Sequence, residues 1–275
     1  DPEGISKVDF YFAGDLVGTC TSSPYSVQID STLYSVGQHD ITVKATDAGP
    51  VSTEGLAQDT VDVWNPVSTL RQISDGFRHA DGQLVVTLPK KVTAGTAEMG
   101  GSEFYIEEST RGSGIRVQSS VVVEEGDIVV VSGTMTTTAA ERSIDATSVQ
   151  IQQRSTTPIP PIGITAHGIG GANASAYTKG ITGGVGARNI GLLIRTYGKT
   201  TYIGGENEDF FYIDNGSGMK DGSGRMGIRV NCRNLTKPPL GVRVLVTGIS
   251  SCREIGGSIF PTIKLRRQSD VVIVN

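Results

Sequence analysis

Apolar and polar positions alternate with a period of two along much of the chain. Val8, Phe10 and Phe12 fall on one side of a first segment, with Asp9 and Tyr11 on the other. Successive side chains of a strand point to opposite faces, so this alternation predicts a half-buried strand. The same reading places further strands at Leu16–Thr21, Tyr25–Asp30, Asp40–Thr46 and Thr60–Trp64. Beyond Pro66, short runs rich in Val and Ile alternate with clusters of Gly, Asn, Asp and Ser, the pattern of short strands joined by tight turns. No stretch carries a helical apolar period. No apolar run approaches the roughly 20 residues that cross a bilayer. The prediction is an all-β chain without a membrane-spanning segment.

A repeat runs through the second part of the chain. Phe104-Tyr105-Ile106-Glu107-Glu108 is followed by Gly114-Ile115-Arg116-Val117 and then by Gly126-Asp127-Ile128-Val129-Val130-Val131-Ser132-Gly133. Phe211-Tyr212-Ile213-Asp214-Asn215 is followed in the same order by Gly227-Ile228-Arg229-Val230 and by Gly241-Val242-Arg243-Val244-Leu245-Val246-Thr247-Gly248. Upstream, Leu84-Val85-Val86-Thr87 parallels Leu192-Leu193-Ile194-Arg195. Two copies of one five-stranded unit with different loop lengths account for this. The predicted domains are 1–66, 67–155 and 156–275, with Thr156 to Pro161 as a proline-stiffened linker. Gly168 to Gly186 does not fit a strand and reads as a long loop entering the last domain, free to lie against a neighbouring molecule.

Two resemblances follow from these blocks. The runs Ile5–Phe12, Leu16–Thr19, Pro24–Val27 and Gly37–Asp47 resemble the bacterial immunoglobulin-like domains, small β-sandwiches that act as spacers and adhesion modules in secreted proteins. The repeated unit resembles an OB-type barrel of secreted bacterial proteins, through its F-Y-I-x-[DE], G-I-x-V and G-D-x-V-x-V-x-G blocks. Gly241-Val242 departs from the Gly-Asp of that last block, so the turn there is expected to differ. The resemblances imply a sandwich followed by two barrels and assign no activity.

Charge changes the picture more than composition does. The net charge of −4 is unevenly spread: −8 over residues 1–66, −3 over 67–155 and +7 over 156–275. Opposite ends of this gradient suit head-to-tail association of copies, since complementary potentials steer encounter and set register. The acidic side would use Asp9, Asp15, Asp30, Asp40, Asp59 and Asp62. The basic side would draw on Arg225, Arg229, Arg233, Lys237, Arg243, Arg253, Arg266 and Arg267. The three cysteines lie in no C-x-x-C pair, which removes the usual zinc arrangement. Cys232 and Cys252 each close a strand-like run and are expected to bridge neighbouring strands, leaving Cys20 as a small hydrophobe or an intermolecular link. The abundance of Ser, Thr and Gly, with few Lys, suits an extracellular surface. A chain opening Asp1-Pro2-Glu3 without Met fits removal of a leader, or excision from a longer protein.

The search for chemistry yields little. The glycine clusters at 168–171 and 184–186 lack the preceding strand and following helix that a phosphate loop needs. There is no G-x-S-x-G elbow. His39, His79 and His167 fall in three different domains and have no metal-spacing partner. Glu107 and Glu108 are neighbours on a strand and point to opposite faces, so they do not form a glycosidase pair alone. The acidic loop from Asp214 to Gly224 suits either a hairpin or oxygen ligands for calcium. Neither cofactor nor metal is expected, and no enzyme.

Two functions remain. One is an exported, non-catalytic structural subunit that self-associates into a filament, tube or surface layer. The other is a module that binds an anionic polymer, nucleic acid or acidic glycan, for a larger secreted enzyme. A single Trp and a pI near 5.5 weigh against general nucleic-acid binding.

Overall fold

A computed structural model of the chain describes residues 4–30, 34, 37–51, 53–63 and 67–274. The chain divides into two compact units, Asp1–Pro66 and Val67–Asn275.

The first unit is built on β1 (Ile5–Phe12), β2 (Asp15–Cys20), β3 (Gly37–Asp47) and β4 (Glu54–Val63). These form one antiparallel sheet in the order β2-β1-β3-β4. Val8 and Phe12 of the predicted apolar face are buried, and Phe12 packs edge-on against Tyr34 with ring centroids 4.5 Å apart. Tyr25–Asp30 does not pair as a strand. It stacks on the sheet instead, and a Cβ on Gly18 would stand 2.6 Å from the Val27 methyl. Glycine at 18 therefore makes room for Val27 against the sheet. β4 starts six positions before the expected Thr60. Its early residues are exposed on both faces, which erases the alternation that marks a half-buried strand. Trp64 lies outside the described residues.

The second unit holds both copies of the repeat. The first is β5 (Ser68–Leu70), the short helix α1 (Ile73–Gly76), β6 (Leu84–Thr87), β7 (Lys90–Ala94), β8 (Glu103–Glu107), β9 (Gly114–Gln118), β10 (Ile128–Thr138) and β11 (Glu141–Gln153). The second is β12 (Ile162–Gly163), β13 (Leu193–Ile203), β14 (Phe210–Asp214), β15 (Ile228–Asn231), β16 (Arg243–Ile255), β17 (Ser258–Lys264) and β18 (Val271–Val274). Each sheet closes into a five-stranded barrel, β7-β8-β9-β11-β10 and β13-β14-β15-β17-β16, with one parallel pairing apiece at β9–β11 and β15–β17. Closed five-stranded barrels are what the OB-type resemblance implies. The chain as a whole is all-β.

Register confirms the repeat strand by strand. Phe104 opposes Val117 and Ile106 opposes Ile115, while Phe211 opposes Val230 and Ile213 opposes Ile228. All eight point into the two barrel cores. The Gly241-Val242 turn matches its counterpart despite the missing Asp. Gly126 donates to the Val92 carbonyl and Val92 to that of Asp127, at 2.9 and 2.8 Å; Gly241 and Thr200 repeat the exchange with Thr200 and Val242, at 3.0 and 2.8 Å. Both glycines take φ near +90°, which a side chain would resist. Backbone conformation thus sets the turn. Asp127 instead caps the N–H groups of Glu124 and Ser155.

Three expectations are corrected here. The stretch from Thr156 to Pro161 is no free linker: Lys91 donates to the Thr157 carbonyl, and Ile159 is buried. The glycine loop is engaged within the chain, because Ser175 and Thr178 both donate to the Phe77 carbonyl just beyond α1, and the Arg188 guanidinium lies 4.7 Å from the Phe77 ring centroid. No disulfide forms. Cys232 points into the second barrel's core, whereas the Cys252 thiol faces the Ala140 carbonyl of the first barrel at 3.4 Å, so the two side chains serve different packing layers. Burial raises both thiols, Cys252 to about 12. In the native state a thiol reagent at pH 8 should therefore label half-exposed Cys20 alone, with Cys232 and Cys252 reacting only after unfolding. A non-reduced mass showing an internal bridge would contradict this.

Candidate functional site

Three surfaces of the second unit gather chemistry, and alternation explains each. In β8, Phe104 and Ile106 fill the core, so Glu103, Tyr105 and Glu107 face outward, with Arg116 of β9 beside them. This outer face is covered by the second barrel. Ala94, Met99, Tyr105, Leu193 and Ile249 form its apolar centre. Gly114 and Gly191 let the backbones touch: a Cβ on either would collide with the main chain of the other.

Around that centre the ionisable groups satisfy one another. Glu107 accepts from the Leu193 N–H at 3.0 Å and from Arg111 Nε at 2.8 Å, while Arg111 also donates to the Leu193 carbonyl. Burial pushes the Glu107 carboxyl above its ordinary value, against those donors. Glu141 accepts from the Tyr105 hydroxyl at 2.9 Å and the Ser251 hydroxyl at 2.7 Å. Lys264 lies 3.6 Å and Arg116 3.9 Å from the same carboxylate. Burial opposes ionisation of Glu141, yet the two cations and the two hydroxyl donors outweigh it and hold the carboxyl below its ordinary value. Burial first, then the Glu141 and Glu103 carboxylates, push the Tyr105 phenol well up. Such shifts also mark catalytic sites. Here, however, Tyr105, Glu107 and Glu141 are all buried at a packed contact, and each is bound by groups of the two barrels. The arrangement fastens the two barrels to each other.

The second surface is the equivalent face of the second barrel. Phe210 and Tyr212 take the outward positions of β14, with Arg229 opposite Tyr212. The Arg229 guanidinium lies 3.6 Å from the Phe210 ring centroid, and that of Arg225 lies 4.2 Å from Tyr202. Tyr212 is bound by Asp221, which also takes Arg253 at 2.6 Å. No barrel docks on this face. Between β14 and β15 a long loop folds back over it, placing Asp221 on Tyr212 and Gly222 against Ile255 and Phe260. In the first barrel the corresponding loop is short and leaves the face to its neighbour. Asp214 and Asp221 serve the loop's own groups: Asp214 accepts from Gly216, Ser217 and Gly218, and Asp221 from Ser223. Among the described residues no group of three or more His, Cys, Asp or Glu is placed to hold a metal ion.

The third surface lies across β13, β16 and β18. Directly opposed residues share a face, so Tyr197, Leu245 and Val272 form one row, and Lys199, Arg243 and Val274 the next. Tyr197 is 44% exposed and Val272 50%. Hollows of about 420 and 450 Å³ flank Tyr197, one edged by Arg195, the other by Lys199 and Arg243. The outer edge of β18 is unpaired among the described residues.

Most of the expected basic residues are engaged inside the chain. Arg233 reaches Glu103, Lys237 donates to the carbonyls of Gly204, Gly205 and Glu208, and Arg253 pairs with Asp221. Arg266 pairs with Asp270 and Glu125, and Arg267 with Glu98 and Glu125. Arg225 and Arg229 lie on rings, and Arg243 stands exposed. Carboxylates of the first barrel therefore absorb much of the positive charge of the second. Of the acidic set, Asp9 is buried against Lys7 and Thr19, whereas Asp15, Asp30, Asp40, Asp59 and Asp62 are exposed. Sequence reasoning missed the junction and the Tyr197 face. One signal for the first was present: the repeated F-Y-I block puts a tyrosine outward in both copies.

The family model of the bacterial Ig domain matches residues 1–43. Searches of curated proteins and of solved structures returned no match. No helix of the described residues is long and apolar enough to cross a membrane.

Proposed function

We propose that the chain is an exported, non-catalytic structural subunit that self-associates into an extracellular assembly. The observation supporting this is two strand edges left unpaired among the described residues, β4 in the first unit and β18 in the second, each bearing exposed apolar side chains. An unblocked edge presents a row of free N–H and C=O groups and is a template for pairing with another chain. The Ig-like match adds a module common in exported spacer and adhesion proteins. Electron microscopy of the purified chain, concentrated without ligand, should reveal ordered particles far larger than one chain. A field of single chains at every concentration would refute the reading.

A second reading is favoured by the Tyr197 face. An exposed ring flanked by Arg195, Lys199 and Arg243 suits an anionic polymer, whose charges meet the cations while a sugar or base stacks on the ring. Retention on heparin that disappears with Arg243→Glu would support it, and passage of the wild-type chain straight through at low salt would exclude it.

A further inference from the structure

Resting on the self-association reading, we infer that the open edge of β18, with the basic face beside it, takes the outer edge of β4 from a second copy of this chain.

Natural sheet edges are blunted by Lys, Pro, bulges or covering segments. Among the described residues neither edge carries Lys, Pro, a bulge or a covering segment, and the charges on them are the carboxylates of β4. β4 reads EGLAQDTVDV, without Lys, Arg or Pro, and runs in continuous register with β3 from Thr46–Glu54 to Gly37–Val63. Its described side chains are exposed on both faces, Leu56 at 59% and Val61 at 39%. β18 reads VVIV and runs in continuous register with β16. Val272 and Ile273, on its opposite faces, are each about half exposed, at 50% and 51%. Exposed apolar side chains on an open edge offer a template for pairing with another molecule.

Charge selects which edges meet. Glu54, Asp59 and Asp62 line β4, with Asp40 beside it on β3, opposite Thr60. Two β4 edges brought together would set like charges against each other, which costs stability across a strand pair. Beside β18 the neighbouring row carries Arg243 and Lys199, with Arg195 further along β13. Two such faces would repel in the same way. The unlike pairing joins apolar to apolar and acidic to basic, and each copy carries both of these edges. A contact of this heterologous type adds copy after copy unless it happens to close into a ring. Of the charge-gradient residues, it assigns Asp40, Asp62 and Arg243 to the contact: Asp40, opposite Thr60, shares the face of Asp62, whereas Asp59 points to the other face.

Cysteine crosslinking tests the inference directly, in a Cys20→Ser background that removes the half-exposed native thiol. Gln58→Cys and Val272→Cys are made in separate chains, and melting curves verify that both fold. Mixed and oxidised, the two variants should give a disulfide-linked dimer, and neither should do so alone. A chain carrying both should give a ladder of multimers. Charge reversal supplies a second readout: Arg243→Glu with Lys199→Glu should weaken association about tenfold, and mixing that variant with Asp40→Lys, Asp62→Lys copies should restore it. If the chain assembles but crosslinks only like with like or not at all, this contact is wrong while self-association stands. If every variant and the wild type remain monomeric, both fail. Should heparin bind the monomer through Arg243 without any assembly, the face belongs to an anionic polymer and the inference is overturned.

Discussion

Replacing Glu141 by Ala is expected to destabilise the second unit by roughly 3–5 kcal/mol, because removing one member of a buried ion cluster leaves the others uncompensated. Glu141 is 2% exposed and receives Tyr105, Ser251, Lys264 and Arg116. Without it, two cations and two hydroxyls at the barrel junction lose their common acceptor. The effect should depend on pH with a defined sign. The folded-state carboxyl lies below its ordinary value of 4.5, so its contribution is fully present above 4.5 and is lost as pH falls through the depressed folded value. Melting curves of the wild type and of Glu141→Gln should therefore differ at pH 7 and converge in acid. A difference that persists undiminished at low pH would mean that the carboxylate charge is not what holds the junction.

Gly114→Val is the second change with a large expected effect. A side chain at 114 meets the main chain of Gly191 and Leu192, which is backbone and not a flexible side-chain tip. The barrels must separate or distort to admit it, at roughly 3 kcal/mol or more. The two barrels should then lose their common melting transition, and calorimetry should resolve two. Gly112→Val makes a useful control, since the nearest atom to a Cβ there is the Thr110 hydroxyl at 3.6 Å. If Gly114→Val melts like the wild type, the two backbones do not meet as described.

How much was legible in the sequence differs from element to element. Strands with one buried face were readable, because Val8, Phe10 and Phe12, or Phe104 and Ile106, impose a period of two. The repeat was readable because its core positions must recur for the barrel to close. Where no face is buried, the pattern vanishes, and β4 was recognised only at its end. Where both faces are buried, the outward residues look like ordinary surface polar groups. Glu107 and Glu141 gave no sign that a second barrel would cover them. The charge gradient was visible as a sum, but a sum does not show that Arg266 and Arg267 meet Glu125 of the same chain. Cys232 and Cys252 illustrate the same limit, since strand proximity says nothing about which side of the strand a thiol takes. The loop over Tyr212 was foreseen as a hairpin, and its length is what distinguishes a closed face from one left open to a neighbour.

Sedimentation velocity of the intact chain over a concentration series, at low ionic strength and again near 1 M salt, tests the proposed self-association most directly. Screening shortens the reach of charge to about 3 Å at 1 M, so a contact oriented by Asp40, Asp62 and Arg243 and held by apolar strand edges should form large species at low salt and form them more slowly at high salt. A single monomer boundary at every concentration and both salt levels would contradict the account.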